Sequence, residues 1–320
     1  EGGATEEILL KNGVEIADYR GRADVTGSKG LPSWTKGPGQ IRWLTKNITK
    51  PGVIQKLVLE SYDNEVAPTL FAITAELGAP AGPEQAQANP VAAPLKWGNG
   101  LKTLLIGGGA SHDYNRWFNL ADVAMLNDSG HISANYRESQ DVTIEAVKSA
   151  DILLISANKA FPDAAVREAI AAHAAAGKGL VLLHPGLWYN WANWPAYNRE
   201  LAGGGSRGHD SYGEFEVTVS GVKHPLLQGV PEHFKLSDEL YYYEADPAGT
   251  PIQVLATAHS KSKNKDFPQV FVVNHPKARI AGITLGHDGI AHGLIAYQQL
   301  LKNSVLWTAH KEAWITTNAK

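Results

Sequence analysis

Two textures of hydrophobic and polar positions divide this chain. From about residue 100 onward, short runs that are apolar throughout alternate with stretches patterned as amphipathic helices. LKTLLIGGG (101–109), DILLISAN (151–158) and GLVLLH (179–184) are the apolar runs, as strands buried on both faces must be. Residues 115–126 and 143–150 read as helices, and HISANY (131–136) reads as a short second strand. PDAAVREAIAAHAAAGKG (162–179) is the clearest helix. Pro162 and Asp163 suit its start and Gly177 its C-cap. Strand and helix alternating at this spacing predict an open, mostly parallel α/β sheet with helices on both faces. Farther on, EFEVTVSG (214–221) alternates like a half-exposed strand. Residues 251–259, 268–275 and 278–287 read as further strands, and 293–311 closes the domain as a helix.

The first part of the chain is different. IRWLTKNI (41–48) and VIQKLVLESY (53–62) read as strands, and TLFAITAEL (69–77) is an apolar run that periodicity does not assign. GAPAGPEQAQANPVAAP (78–94) is a linker by composition. The expected organisation is therefore a small β-rich segment with its linker over 1–95 and the α/β domain over 96–320.

Composition narrows the chemistry. The 320 residues include no cysteine, which removes disulfides, thiolate nucleophiles and thiolate metal ligands. Net charge is −3 with no basic stripe, so nucleic acid is not an expected partner. No apolar run is long enough to span a bilayer, and no leader is visible. A cysteine-free chain suits a periplasm or the cell exterior and is permissible in a cytoplasm. Nine Trp and eleven Tyr can line a sugar-binding cleft or pack a core, which makes a small carbohydrate an expected partner; a homo-oligomer is compatible with everything read here.

Open α/β sheets bind ligands at the carboxyl ends of their strands. Three of the expected parallel strands deliver a histidine there: Ser111-His112-Asp113, His184 and Gly286-His287-Asp288. His209, His224 and Asp238-Glu239 lie in intervening stretches able to fold over that rim. Imidazoles with carboxylates suit one divalent ion such as zinc or manganese, with His112, His184, His209, His287 and Asp288 as candidate ligands. The same groups suit metal-free acid–base work, in which Asp113 or Asp288 orients a histidine. A polar rim without chemistry is the third reading. Candidate catalytic residues are His112, Asp113, His184, Glu239 and His287. His112 or His184 would be the base. Glu239 would be the acid, its pKa raised by the aromatic neighbours in DELYYYEAD.

LWYNWANWPAY (187–197) follows His184 and carries Trp188, Trp191, Trp194 and Tyr197 at three-residue steps, a sugar-stacking wall or a packing stripe. Trp188, Trp191, His224, Tyr241 and Arg116 are the candidate substrate contacts, Arg116 for a carboxylate or as a support for Asp113. A serine hydrolase is disfavoured. The GxSxG elbow is missing, and Ser111 directly precedes His112, where adjacent side chains seldom engage each other.

LLIGGGASHDY (104–114), GKGLVLLHPG (177–186), ELAGGGSRGH (200–209), VKHPLLQGVPEHF (222–234), DELYYY (238–243) and ARIAGITLGHD (278–288) together resemble the ThuA-like family, named for trehalose utilisation. The resemblance covers about residues 101–310. It implies a flavodoxin-like domain related to class I glutamine amidotransferases without their cysteine, and an association with disaccharide and keto-sugar metabolism. It carries interest onto His112, Asp113, His184, His209, His224, Asp238, Glu239, His287 and Asp288. VVNH (272–275) departs from the family's Trp-Thr-His at His275. The expected function is a carbohydrate-active enzyme on a modified sugar, such as a 3-keto-glycoside, working by acid–base elimination, isomerisation or hydrolysis. The alternative is a non-catalytic carbohydrate-binding or assembly module.

Overall fold

The computed structural model describes residues 5–17, 25–30, 41–46, 48, 57–59, 95–188 and 192–315. The chain divides into two compact units, Glu1–Pro83 and Glu84–Lys320, so the break falls inside the Ala/Pro stretch that composition marks as a linker. In the first unit, β1 (Lys29–Gly30) pairs antiparallel with β2 (Arg42–Trp43). The strand expected over 41–48 is thus confined to its start. Most of the apolar stretches at 53–62 and 69–77 lie outside the described residues.

The second unit opens with β3 (Leu101–Gly107), followed by a wide, π-type helix (Asn115–Asp122) that runs into α1 (Val123–Asp128). Then come β4 (Ile132–Glu138), α2 (Ile144–Ser149), β5 (Ile152–Ile155), α3 (Ala164–Ala175) and β6 (Gly179–Leu183). Thr143 and Asp163 cap α2 and α3 by accepting the N–H of Ala146 and Ala165. β7 (Gly204–His209), β8 (Gly213–Val219), β9 (His233–Asp238), β10 (Tyr241–Ala245), β11 (Ile252–Ser260), β12 (Lys265–Val273) and β13 (Ile280–Ile283) follow. Two helices close the domain, the short α4 (Gly289–His292) and α5 (Ile295–Thr308).

A nine-stranded sheet runs in the order β4-β3-β5-β6-β13-β12-β11-β8-β9. It is parallel from β4 through β13 and antiparallel from β13 to β9, so it is α/β and flavodoxin-like in its first half and mixed overall. β7 and β10 form a separate antiparallel pair. Alternate residues of the parallel strands enter the two cores. Leu105, Leu154, Val181 and Ile283 pack on the α5 face, while Leu104, Leu153, Leu180 and Ile280 pack on the face covered by α3. Strands that bury both faces must be apolar throughout, which is why these runs stand out in the sequence.

Directly after β6 the chain turns sharply across the end of β5. A Cβ on Gly186 would overlap the Ile155 carbonyl. Gly186→Ala is therefore expected to destabilise the domain by about 1–3 kcal/mol, read as a lowered urea midpoint at unchanged slope.

Candidate active site

The parallel half of the sheet brings its carboxyl ends to one edge, and three histidines converge there. His112 stands in the loop after β3, His184 directly after β6, and His287 after β13. Glu239, directly after β9, joins them. One ligand atom from each of His112, His184, Glu239 and His287 lies within 4.8 Å of all the others. His112 Nε2 is 3.0 Å from His184 Nε2 and 3.1 Å from His287 Nδ1, and His287 Nδ1 is 3.2 Å from Glu239 Oε2. Side-chain exposure rises from 0% at His184 to 17% at Glu239 and 26% at His287, so the cluster opens to solvent on the Glu239–His287 side.

Each member is oriented from behind. His184 Nδ1 lies 2.5 Å from the Thr284 carbonyl, which only accepts, so Nδ1 carries a proton and Nε2 is the atom turned to the cluster. The ring stacks on Tyr241, and the His184 backbone sits in the left-handed region at φ 35°. Such strain on a non-glycine residue is held only where the surroundings dictate it. Asp238 is fully buried and accepts the N–H groups of Glu239, Gly286 and His287 at 2.7, 2.8 and 3.2 Å. One carboxylate thus ties the end of β9 to the residues after β13 and sets Glu239 beside His287.

Behind His112 stands a short polar chain. Its Nδ1 is 2.6 Å from Ser111 Oγ, Ser111 Oγ accepts from Asn158 Nδ2, and Tyr114 donates to Asn158 Oδ1 at 3.1 Å. Adjacent residues do engage here, contrary to expectation, because the loop after Gly109 turns both side chains to one side.

The electrostatics follow. Burial, then repulsion from His184 and His287, pushes His112 down to about 3, so it is a neutral donor at physiological pH. His287 is raised, chiefly by its hydrogen bond to Glu239 and against the opposing effect of burial. Burial on its own would raise Glu239, but the adjacent His184 and His287 imidazoles hold it well below the usual carboxylate range. The expected raised pKa is therefore reversed: Glu239 is a carboxylate, not a reservoir acid.

Three imidazole nitrogens face one another at 3.0 to 3.1 Å, and a single shared proton satisfies only one of the two contacts. A cation among them satisfies both, and the adjacent carboxylate balances its charge. The donor set, three imidazoles and one carboxylate, is of the kind that holds zinc or a similar divalent ion. The residues present fit such an ion.

Other expected residues fall elsewhere. Asp113 accepts the Arg116 N–H and Asp288 accepts the Ile290 N–H, so both begin helical turns instead of orienting a ring or joining the ligand set. Asp288 also accepts from Tyr212, whose ring lies 5.4 Å from His287. Tyr212 is a rim residue that sequence reading missed, since nothing around it is patterned. His209 stands outside the ligand set with Nε2 3.7 Å from Glu239 Oε1; its Nδ1 donates to the Asp210 carbonyl. Arg116 lies over Trp117. Trp188 packs beside His209 and Tyr241. Tyr241 is itself buried beneath His184, which leaves it no face for a sugar. Trp194 and Tyr197 are core, and Trp191 lies outside the described residues. His224 packs on Trp307 near Arg279, before β13, at the opposite end of that strand from His287. His275 accepts the N–H groups of Lys277 and Ala278 and caps the turn there.

A family model described as ThuA, trehalose utilisation, matches residues 104–308. The chain belongs to the ThuA family. Every member of the His112–His184–Glu239–His287 cluster lies inside this ThuA region. Solved structures that share the fold include two ThuA-like proteins. A ThuA-like protein from Parabacteroides merdae is 22% identical with a TM-score of 0.57, over 66% of this chain and 90% of that one. A ThuA-like protein from Bacteroides uniformis is 17% identical with a TM-score of 0.54, over 67% and 94%. Among curated proteins no significant match is found. Among the described residues no helix of this ThuA protein is long and apolar enough to cross a membrane.

Proposed function

We propose that this ThuA-family protein is a sugar-modifying enzyme. Its substrate is a keto-sugar or keto-glycoside, and its centre is one divalent ion, zinc or manganese, held by His112, His184, Glu239 and His287. The observation that carries the reading is the convergence of these four side chains, from four separate strand ends, within 4.8 Å. When bound, the ion supplies Lewis acidity to a ketone or a pair of hydroxyls.

The chain's own residues then divide the work. His184 and His112 are turned inward and hold their lone pairs on the cluster, which removes them as free bases. His209 takes that role. Its Nδ1–H is fixed on the Asp210 carbonyl, so Nε2 is the atom it presents as a base, at the open side beside Glu239. In a 3-keto-glycoside, His209 Nε2 removes the proton beside the ketone. The C–H electron pair forms the new double bond, and the glycosidic C–O bond breaks. The departing oxygen leaves as an alcohol carrying that proton. Isomerisation would return the proton to the sugar, and hydrolysis would set the same base on water. Trp188 and Tyr212 flank the opening as sugar contacts.

The test is release of the aglycone from a 3-keto-glycoside and from its unoxidised parent, with metal content measured on the same samples. Wild type is expected to turn over the keto substrate alone. His209→Ala is expected to keep its metal and lose at least about 100-fold in kcat. Turnover of neither substrate by any variant, with sugar binding lost only in Trp188→Ala, would mark a non-catalytic binding module instead.

A further inference from the structure

Below the site lies a second polar cluster that the chemistry above does not use. Asp122, His292 and Tyr297 are 1, 3 and 0% exposed. His292 Nδ1 is 2.8 Å from Asp122 Oδ1, His292 Nε2 is 3.1 Å from the Gly286 carbonyl, and Tyr297 donates to Asp122 Oδ2 at 3.1 Å. Phe118 packs edge-on against the His292 ring. A carbonyl only accepts, so His292 Nε2 carries a proton, and a second proton lies in the contact between Nδ1 and the carboxyl. An imidazole and a carboxyl this deep are costly to bury and are weak grounds for stability alone. Its placement gives the reason for it.

Gly286 is gripped from both sides. Its carbonyl accepts from His292, and its N–H, together with that of His287, donates to Asp238. Asp122 ends the wide helix that begins just after His112, so the pair also joins that helix to the residues bearing His287. We infer that His292, oriented by Asp122, is a positioning residue. Through the Gly286 carbonyl it fixes His287 Nδ1 at its 3.1 Å separation from His112 Nε2. For its metal consequence the inference rests on the reading of the cluster as a metal centre; for the placement of His287 it does not.

Two substitutions separate positioning from plain packing, because each keeps one half of the imidazole's bonding. His292→Gln places an amide near the former Nε2 and keeps a donor for Gly286. His292→Asn places one near Nδ1, keeps Asp122 and loses Gly286. Both shrink the same buried ring. With zinc as the probe on the full chain, His292→Asn is expected to lose about 10–100-fold in affinity, and His292→Gln to stay within about threefold of wild type.

The second readout needs no metal. In chelator-treated protein, the His287 ring resonances, assigned with a His287→Ala variant, should move in His292→Asn and hold in His292→Gln. Equal behaviour of the two variants in both readouts would overturn the inference. Wild type that binds no zinc would sink the metal reading, while the resonances still decide the positioning. Should either His292 variant fail to fold, Asp122→Asn, which is isosteric, must shift the same resonances, and unchanged resonances there would overturn the inference equally.

Discussion

His184→Ala is expected to abolish metal binding, with zinc affinity falling by at least about 100-fold and recovered metal dropping to near zero. His184 is the most enclosed of the four converging groups and the one whose tautomer is fixed by a carbonyl. Its removal deletes an inward lone pair that no described neighbour replaces. The folding cost is of a different size. The Thr284 carbonyl loses its 2.5 Å donor, worth about 1–3 kcal/mol when left unsatisfied, and Tyr241 loses its stacking partner. Alanine keeps its Cβ, so the strain at φ 35° is neither relieved nor increased. The net change in stability should therefore be modest while the metal is lost outright. Elemental analysis after dialysis, beside an unfolding curve, reads both. A folded variant retaining near-stoichiometric metal would remove the cluster from consideration as the metal centre.

Much of this was legible in the residues, for a physical reason. Strands buried on both faces cannot hide their composition, so β3, β5 and β6 are plain in the sequence. Parallel strands separated by helices put their carboxyl ends on one edge. Three histidines after three such strands must then lie on a common rim, and His112, His184 and His287 do. What periodicity does not encode is strand direction. The antiparallel half from β12 to β9 was therefore not foreseen, nor was the pairing of β10 with β7, whose GGSRGH sequence has no apolar alternation.

The site was misread where a residue type serves two purposes. Asp after His looked like an orienting carboxylate at Asp113 and Asp288. Aspartate is also a strong helix N-cap, and capping is what both residues do here. Glu239 looked like an acid raised by apolar neighbours. The neighbours that decide its charge are His184 and His287, distant in sequence and invisible to local composition. His224 failed for the reverse reason. Its loop was free to reach the rim by sequence, but the strand order carries it to the far end of β13.

Acid should destabilise the metal-free protein from about pH 6.5 downward. His173 on α3 is 5% exposed, and its Nε2 has no hydrogen-bond partner among the described residues. Burial, and then the nearby Lys178 charge, push its pKa from 6.5 down to about 4. The group is a base with a depressed folded pKa, so between those two values the unfolded chain holds a proton that the folded chain refuses. Stability is therefore complete above about 6.5, falls as pH drops, and levels off below about 4, a loss on the order of 3 kcal/mol from this residue alone. His112, depressed from 6.5 to about 3, acts in the same direction over a slightly wider window. His287 is raised, so its contribution is present below 6.5 and is lost as pH rises through its folded pKa, outside the acid window. Asp122 and Asp238, raised by burial above the usual 3.8, oppose the trend between 3.8 and their folded values. Urea midpoints of chelator-treated protein at stepped pH measure the slope, and His173→Leu isolates the residue. The leucine variant should flatten the curve by the His173 share while His112 keeps a residual slope. Identical curves for the two proteins would mean that α3 opens or hydrates around His173 in solution, and that the burial seen here does not govern its charge.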